Sequence, residues 1–84
     1  MQINQQATQA LKYMVEFRSI GSVAAVSNFL GTDNYEATSV MKYILRRRKS
    51  WFTTIQDAQG DNAFIVTPNH IEDVIRFLDK GGFA

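Results

Sequence analysis

Apolar residues recur every three or four positions over four stretches of the chain, at about 6–19, 23–30, 34–48 and 68–80. This spacing places the apolar side chains on one side of a helix, so each stretch predicts an amphipathic helix. Residues 1–5 are mostly polar and are expected to fray. The positions expected to face a common core are Ala7, Ala10, Leu11, Met14, Phe17, Val23, Val26, Phe29, Leu30, Ala37, Val40, Met41, Ile44, Leu45, Ile71, Val74, Ile75 and Leu78.

The pattern changes between the third and the fourth of these helices. Residues 51–67 begin and end with runs that are rich in aromatic and β-branched residues, which favour strands. Turn-forming residues lie between the runs, so the segment predicts a β-hairpin. Thr67 then precedes Pro68, which predicts a capping hydroxyl ahead of a proline at the first position of the last helix.

Polar residues and a glycine mark the limits of the second and third helices. Ser22 is a suitable N-cap for the second helix, and Gly31 suits the left-handed residue that ends it. Asp33 can cap the third helix, and Glu36 lies three residues further on, at the spacing of a capping box. These signals predict a helix–turn–helix over about 22–48.

Length indicates one small domain over residues 1–84, and the predicted helices and hairpin make its class α+β. The 84 residues are 45% hydrophobic, which is typical of globular rather than disordered chains. There is no cysteine, so no disulfide or thiolate metal site is expected. No apolar run approaches the ~20 residues that span a bilayer, and the first residues do not form a signal peptide. We therefore expect a soluble, intracellular protein of the cytoplasm.

Positive charge is concentrated at the end of the third helix. The net charge is only +1, yet five of the nine lysines and arginines fall within residues 42–49. One cation complements a helix C-terminus by about 0.3–1 kcal/mol, and a run of four exceeds what that effect explains. A basic cluster on one helix is typical of contact with phosphates. Because the four cannot all face one way, Arg47 or Arg48 is expected to lie along the protein surface.

The order of helix, helix, turn, helix, hairpin and helix resembles the winged helix-turn-helix family over residues 6–80. Val26, Ser27, Leu30 and Gly31 stand where the motif has an apolar, a small, an apolar and a turn residue. Further matches are Ala37 and Val40 on the buried side of the recognition helix, Phe52 at the first strand of the wing, and Val66-Thr67 at its end.

Two features depart from the family pattern. Ser27 stands where alanine is commonest. The hairpin tip carries Asp57 and Asp61 and no lysine or arginine, whereas a wing that contacts phosphates usually has a basic residue. The polar tip, with Gln59 and Asn62, is therefore expected to be the weaker contributor to DNA contact.

The resemblance implies a sequence-specific double-stranded DNA-binding protein whose helix at 34–48 enters the major groove. A small transcriptional regulator of the repressor type would act by occupying its site. Glu36 could accept a hydrogen bond from a cytosine amine, but a cap explains its position better. The expected base contacts are Asn34, Tyr35, Thr38, Ser39 and Lys42, and the expected DNA backbone contacts are Tyr43, Arg46, Arg47, Arg48 and Lys49.

Two other functions fit parts of the pattern. The acidic hairpin tip and the low net charge favour a winged-helix protein–protein interaction module, which would bind a larger complex through Trp51, Phe77 or the wing without contacting DNA. A single-strand or RNA binder would stack bases on Trp51 and Tyr43. The single-strand binder is disfavoured because the sheet is small and its aromatic residues are needed inside. Trp51 itself is expected to lie in the core, at the junction of helix and hairpin.

No residues are spaced for catalysis or for metal binding. His70 is the only histidine, and the neighbouring carboxylates Glu72 and Asp73 diverge on a helix. We therefore expect no enzyme, no cofactor, no metal and no small-molecule ligand.

Three aromatic residues near the two ends of the chain lie outside the apolar stripes of their helices. They are Tyr13, Phe77 and Phe83. Exposed rings on terminal helices favour self-association, and small helix-turn-helix proteins often bind DNA as dimers, so we expect a homodimer. The alternative is that these rings complete a small core.

Overall fold

Over residues 2–56 and 58–83, the part of the chain described by the computed structural model, the fold is α+β. The elements are α1 (Ile3–Glu16), α2 (Val23–Leu30), α3 (Asn34–Arg48), β1 (Phe52–Gln56), β2 (Asn62–Val66) and α4 (Ile71–Asp79). The predicted class and order of elements are confirmed. None of the helices in these two ranges is long and apolar enough to cross a membrane.

Helix α1 begins and ends three residues earlier than the sequence predicts. The backbone N–H of Gln2 donates to Oε1 of Gln5 at 3.2 Å, which supports a helical start within the stretch that was expected to fray. At the other end, Arg18 has a left-handed backbone with φ 49°, so the chain turns away from the helix axis. Phe17 consequently does not join the core as predicted and is 66% exposed.

Helix α2 begins and ends where the sequence predicts. The Ser22 hydroxyl accepts a hydrogen bond from the backbone N–H of Ala25 at 3.1 Å, as expected of an N-cap. Gly31 ends the helix with φ 67°, in the left-handed region. The Ser27 hydroxyl donates to the carbonyl of Thr32 at 2.6 Å and so holds the turn closed from within α2.

Strands β1 and β2 pair antiparallel, with Phe52 opposite Val66 and Gln56 opposite Asn62. Both strands deviate by one residue from prediction. β1 begins at Phe52 rather than at the preceding tryptophan because Lys49–Trp51 forms a 3₁₀ turn. β2 runs from Asn62 to Val66, one residue earlier than expected.

The predicted cap of the last helix is wrong. The hydroxyl of Thr67 lies 2.8 Å from the hydroxyl of Thr53 on the neighbouring strand, and it makes no cap contact. A 3₁₀ turn, Pro68–His70, precedes α4 instead, and its last N–H bonds to the Thr67 carbonyl at 2.8 Å. The hydroxyl therefore closes the base of the hairpin rather than beginning a helix.

A third segment joins the edge of the hairpin. Between α1 and α2, Gly21 forms an antiparallel bridge with Phe64 of β2, through N···O distances of 2.7 and 3.2 Å. Both residues are buried, and a Cβ on Gly21 would lie 2.7 Å from Sδ of Met14. Only glycine allows this approach without displacing a neighbour, so the bridge fixes the hairpin against α1.

Helix α1 lies at the centre of the packing and contacts α2, α3, α4 and β2. Besides Phe17, two further residues expected in the core are exposed: Phe29 is 41% and Ile75 is 42% exposed. Phe29 stacks on Tyr13 at the surface, and Ile75 borders an open groove. The buried hydrophobic residues are Ala7, Ala10, Leu11, Met14, Val26, Ala37, Val40, Met41, Ile44, Ala63, Phe64 and Val74.

The aromatic residues near the chain ends are half-buried rather than exposed. Phe77 makes edge contacts with Trp51 at 5.2 Å and with Phe83 at 4.9 Å between ring centroids, and Phe83 in turn contacts Tyr43 at 5.4 Å. Tyr13 also packs against the core. The expectation of exposed rings is thus wrong, and the alternative, that these rings complete a small core, is confirmed.

Candidate nucleic-acid interface

Helix α3 is fixed at its start by a cap and along one side by the core. Oδ1 of Asp33 accepts a hydrogen bond from the backbone N–H of Glu36 at 2.8 Å. The other half of the expected capping box, a bond from the backbone N–H of Asp33 to the Glu36 side chain, is not formed. Oε2 of Glu36 instead accepts a hydrogen bond from Nε2 of Gln6 on α1 at 3.5 Å. Ala37, Val40 and Ile44 have no exposed surface. The opposite side of α3 must therefore face solvent.

The outward side of α3 carries a strip of exposed cations. Tyr35, Lys42 and Arg46 follow each other at spacings of seven and four residues, so they lie on one side of the helix, and the exposed Lys49 follows in the 3₁₀ turn that comes directly after it. Tyr35 is 82% exposed. Within the described ranges no carboxylate forms an ion pair with any of these three cations. We call Lys42, Arg46 and Lys49 the basic strip.

Two residues predicted to contact bases are already engaged. The hydroxyl of Thr38 donates to the Asn34 carbonyl at 2.8 Å, and that of Ser39 donates to the Tyr35 carbonyl at 3.2 Å. Both side chains are half-buried. Each hydroxyl keeps its lone pairs and can accept a hydrogen bond, but donation to a base would require the bond within the helix to break.

Three residues predicted to contact the DNA backbone turn toward the protein. The guanidinium carbon of Arg47 lies 3.6 Å from the ring centroid of Tyr43. That of Arg48 lies 5.2 Å from the centroid of Trp51 and 5.1 Å from that of Phe77. At about 100° per residue, positions 47 and 48 fall beside the buried stripe rather than opposite it. The expectation that one of these arginines follows the protein surface is confirmed, and it applies to both.

Negative charge lies at the opposite end of α3 from the basic strip. Asp33 and Glu36 are both exposed at the first turn, where Asp33 caps the helix and Glu36 bonds to Gln6. The exposed surface of α3 is therefore acidic at its start and basic toward its end. A polyanion that followed this helix would be attracted more strongly at the C-terminal half.

The hairpin tip and the start of α3 border a shared cleft. Its volume is about 580 Å³, and it contains Asn34 together with Gln59 and Asn62, the residues expected to contribute weakly. Val23 and Ala24 of α2 form the rest of the wall, with Asp61. Sequence reasoning missed the α2 residues, because their place beside the hairpin depends on the bridge between Gly21 and Phe64. Asp57 lies outside the described residues.

The described residues contain no group of three or more histidine, cysteine or acidic side chains that could hold a metal ion. No protein-family model, curated protein sequence or solved structure matches this chain. The arrangement of α3 and its charges is therefore the basis on which a function can be argued.

Proposed function

We propose that this chain is a winged helix-turn-helix protein that binds double-stranded DNA with α3 in the major groove. The observation that carries the proposal is the basic strip. All three residues are exposed, Lys42 and Arg46 lie on one side of α3, and among the described residues no carboxylate pairs with them. Exposed cations without such partners can neutralise phosphates and release counterions, which supplies most sequence-independent affinity.

The arrangement of the elements supports the same proposal. α2 and α3 are joined by a turn that begins at Gly31, and the hairpin follows α3 directly, as the wing follows the recognition helix in this family. The bridge from Gly21 to Phe64 holds the wing beside the start of α2. The cleft that Asn34 shares with Gln59 and Asn62 would then face the DNA together with α3.

The exposed residues of α3 would contact bases near the start of the helix and phosphates near its end. Asn34 and Tyr35 lie at the N-terminal end that reads base edges in helix-turn-helix proteins, with Lys42 following them. Arg46 and Lys49 would hold phosphates. Such a protein would act in the cytoplasm as a small transcriptional regulator, a repressor that occupies its site.

Replacing two residues of the basic strip tests the proposal. Arg46→Ala with Lys49→Ala should weaken binding to a random-sequence duplex, because two phosphate contacts are lost. The slope of log K against log salt concentration should become shallower by about 1 for each lost contact. Fluorescence anisotropy of a labelled duplex at several salt concentrations measures both quantities.

A matched control removes the same charge elsewhere. Arg76 and Lys80 are exposed on or just after α4 and take no part in the strip, so Arg76→Ala with Lys80→Ala should leave affinity and slope nearly unchanged. Equal losses in both double variants would mean that only net charge matters. If the unaltered chain binds no duplex at low salt, the proposal is wrong.

A protein–protein interaction module is the second candidate function. The surface that favours it is a group of aromatic rings on α1 and α2, not the Trp51, Phe77 or wing surface expected from the sequence. The ring centroid of Tyr13 lies 4.4 Å from that of Phe29, on which it stacks, and 5.4 Å from that of Phe17. Phe29 and Phe17 are both exposed. Trp51 and Phe77, expected as the contact points of such a module, are instead packed against each other. If the chain does not bind duplex DNA at low salt, this candidate is favoured.

A further inference from the structure

An open apolar groove runs between α1 and α4, away from the proposed DNA-binding surface. Two adjoining cavities of about 260 and 220 Å³ share Val15 and Ile75 as wall residues. Ile71 extends the groove at one end and Leu78 at the other. No residue of α3 lines either cavity. The groove explains why Ile75 is 42% exposed although it lies on the apolar stripe of α4.

The two edges of this groove carry opposite charge. On the α1 side, Arg18 borders the cavity that contains Ile71, and Lys12 borders the other cavity together with Asp79. On the α4 side, Glu72 and Asp79 are seven residues apart and therefore lie on the same side of the helix.

The charges on these edges have few partners within the described residues. Lys12 makes one exposed pair with Glu16, at 3.8 Å, and Glu16 is the one acidic residue on the α1 edge. Arg18, Glu72 and Asp79 form no ion pair with any described residue. At one end, Lys12 of α1 and Asp79 of α4 border the same cavity. At the other end, Arg18, which follows α1, borders the cavity at Ile71, and the exposed Glu72 is the next residue of α4.

We infer that this groove is the interface of a homodimer whose two-fold axis runs along it. A rotation about such an axis places α4 of each copy on α1 of the other. Each residue keeps its position along the groove, so residues at the same level in the two copies face each other. Ile75 of one copy then covers Val15 of the second. Arg18 meets Glu72, and Lys12 meets Asp79, once on each side of the axis. The same patch serves both copies, as a two-fold interface requires.

The charge pattern favours a second copy over other occupants. The two edges are complementary to each other, and a two-fold rotation about the groove brings each edge onto its complement. A small apolar ligand would fill the cavities and leave the edge charges unused. A stable interface covers about 800 Å² on each partner, which is about one-seventh of the 5412 Å² that this chain exposes.

Exchanging the charges of one edge at a time tests the inference. The α4-edge variant carries Glu72→Lys and Asp79→Lys, and the α1-edge variant carries Lys12→Glu and Arg18→Glu. Each variant alone brings like charges together at both halves of the interface. We expect its dimer dissociation constant to rise by about 100-fold. An equimolar mixture of the two variants should form a heterodimer, because every facing pair is again opposite in sign.

Sedimentation velocity at several protein concentrations measures these states, and far-UV circular dichroism verifies that each variant is folded. Lys42→Glu with Arg46→Glu reverses the same number of charges on α3 and should leave the wild-type dimer constant unchanged, while DNA binding is lost. A monomeric wild-type chain would overturn the inference. So would dimeric single-edge variants, or folded variants whose mixture stays monomeric. None of these outcomes depends on DNA binding.

Discussion

At the scale of single residues, two glycines are required for different reasons. Gly21 is buried, and a Cβ there would lie 2.7 Å from Sδ of Met14 and 2.9 Å from the ring of Phe64. Gly31 is exposed with φ 67°, and nothing lies within 4 Å of its Cβ position. The first glycine is needed because of its neighbours and the second because of its backbone conformation.

Substituting each glycine should separate these causes. Gly21→Ala should lower the free energy of unfolding by about 1–3 kcal/mol, because the ring of Phe64 is held by its strand and cannot yield freely. Gly31→Ala should cost about 1 kcal/mol through backbone strain alone. Asparagine tolerates the left-handed region, so Gly31→Asn should recover part of the loss, while Gly21→Asn should be worse than alanine. Urea unfolding at equilibrium gives all four values, and recovery by Gly21→Asn would contradict this account.

Local signals of the sequence predicted residue roles well wherever the partner is near in the chain. Ser22, Gly31 and Asp33 act as the sequence predicts, because each contact lies within about one helical turn. Glu36 and Thr67 were assigned wrongly. Their partners, Gln6 and Thr53, are 30 and 14 residues away, so only the tertiary fold brings them together.

At the scale of elements, the charge along α3 changes sign from its first turn to its last. The helical period was sufficient to predict which side of α3 is buried and that Lys42 and Arg46 face outward. It could not predict that Arg48 would contact Trp51 and Phe77, since these rings meet only when α4 docks. The period therefore predicts that one of Arg47 and Arg48 follows the protein surface, but not which rings each arginine meets.

The acidic first turn of α3 gives a prediction for Asp33. Asp33→Asn keeps a capping oxygen and removes the negative charge, so stability should change by less than about 0.5 kcal/mol. Duplex affinity at low salt should rise by about two- to fivefold, because an exposed charge repulsion of this size is removed. Asp33→Ala should instead lose about 1 kcal/mol of stability with the cap. Thermal unfolding and anisotropy titrations compare the three proteins, and unchanged affinity in Asp33→Asn would mean that this end of α3 lies away from DNA.

At the scale of the whole molecule, aromatic rings tie the last helix to the rest of the fold. Trp51, Phe77, Phe83 and Tyr43 form consecutive edge contacts that run from the start of the hairpin across α4 and back to α3. The backbone N–H of Phe83 also donates to the Thr8 hydroxyl at 2.9 Å. These contacts and the central position of α1 indicate a single cooperative unit.

Trp51 allows this cooperativity to be measured, because it is the only tryptophan and contacts Phe77 of α4. Its fluorescence and the far-UV circular dichroism should follow the same unfolding curve in urea at fixed protein concentration, as two-state unfolding requires. A fluorescence transition at lower urea than the loss of helix signal would show that α4 separates first, and α4 would then have to be treated as an independent unit.

The hydrogen bond from Ser27 to the Thr32 carbonyl, 2.6 Å long, also bears on which residues position 27 can accept. The backbone N–H of Thr32 returns a bond of 3.1 Å to the Ser27 carbonyl, so two bonds join Ser27 of α2 to Thr32 in the bend that Gly31 begins. Only the first of these bonds needs a side chain. Alanine at position 27 would therefore keep the backbone bond and lose the bond from the hydroxyl, and positions 27 and 32 would be joined by one link instead of two.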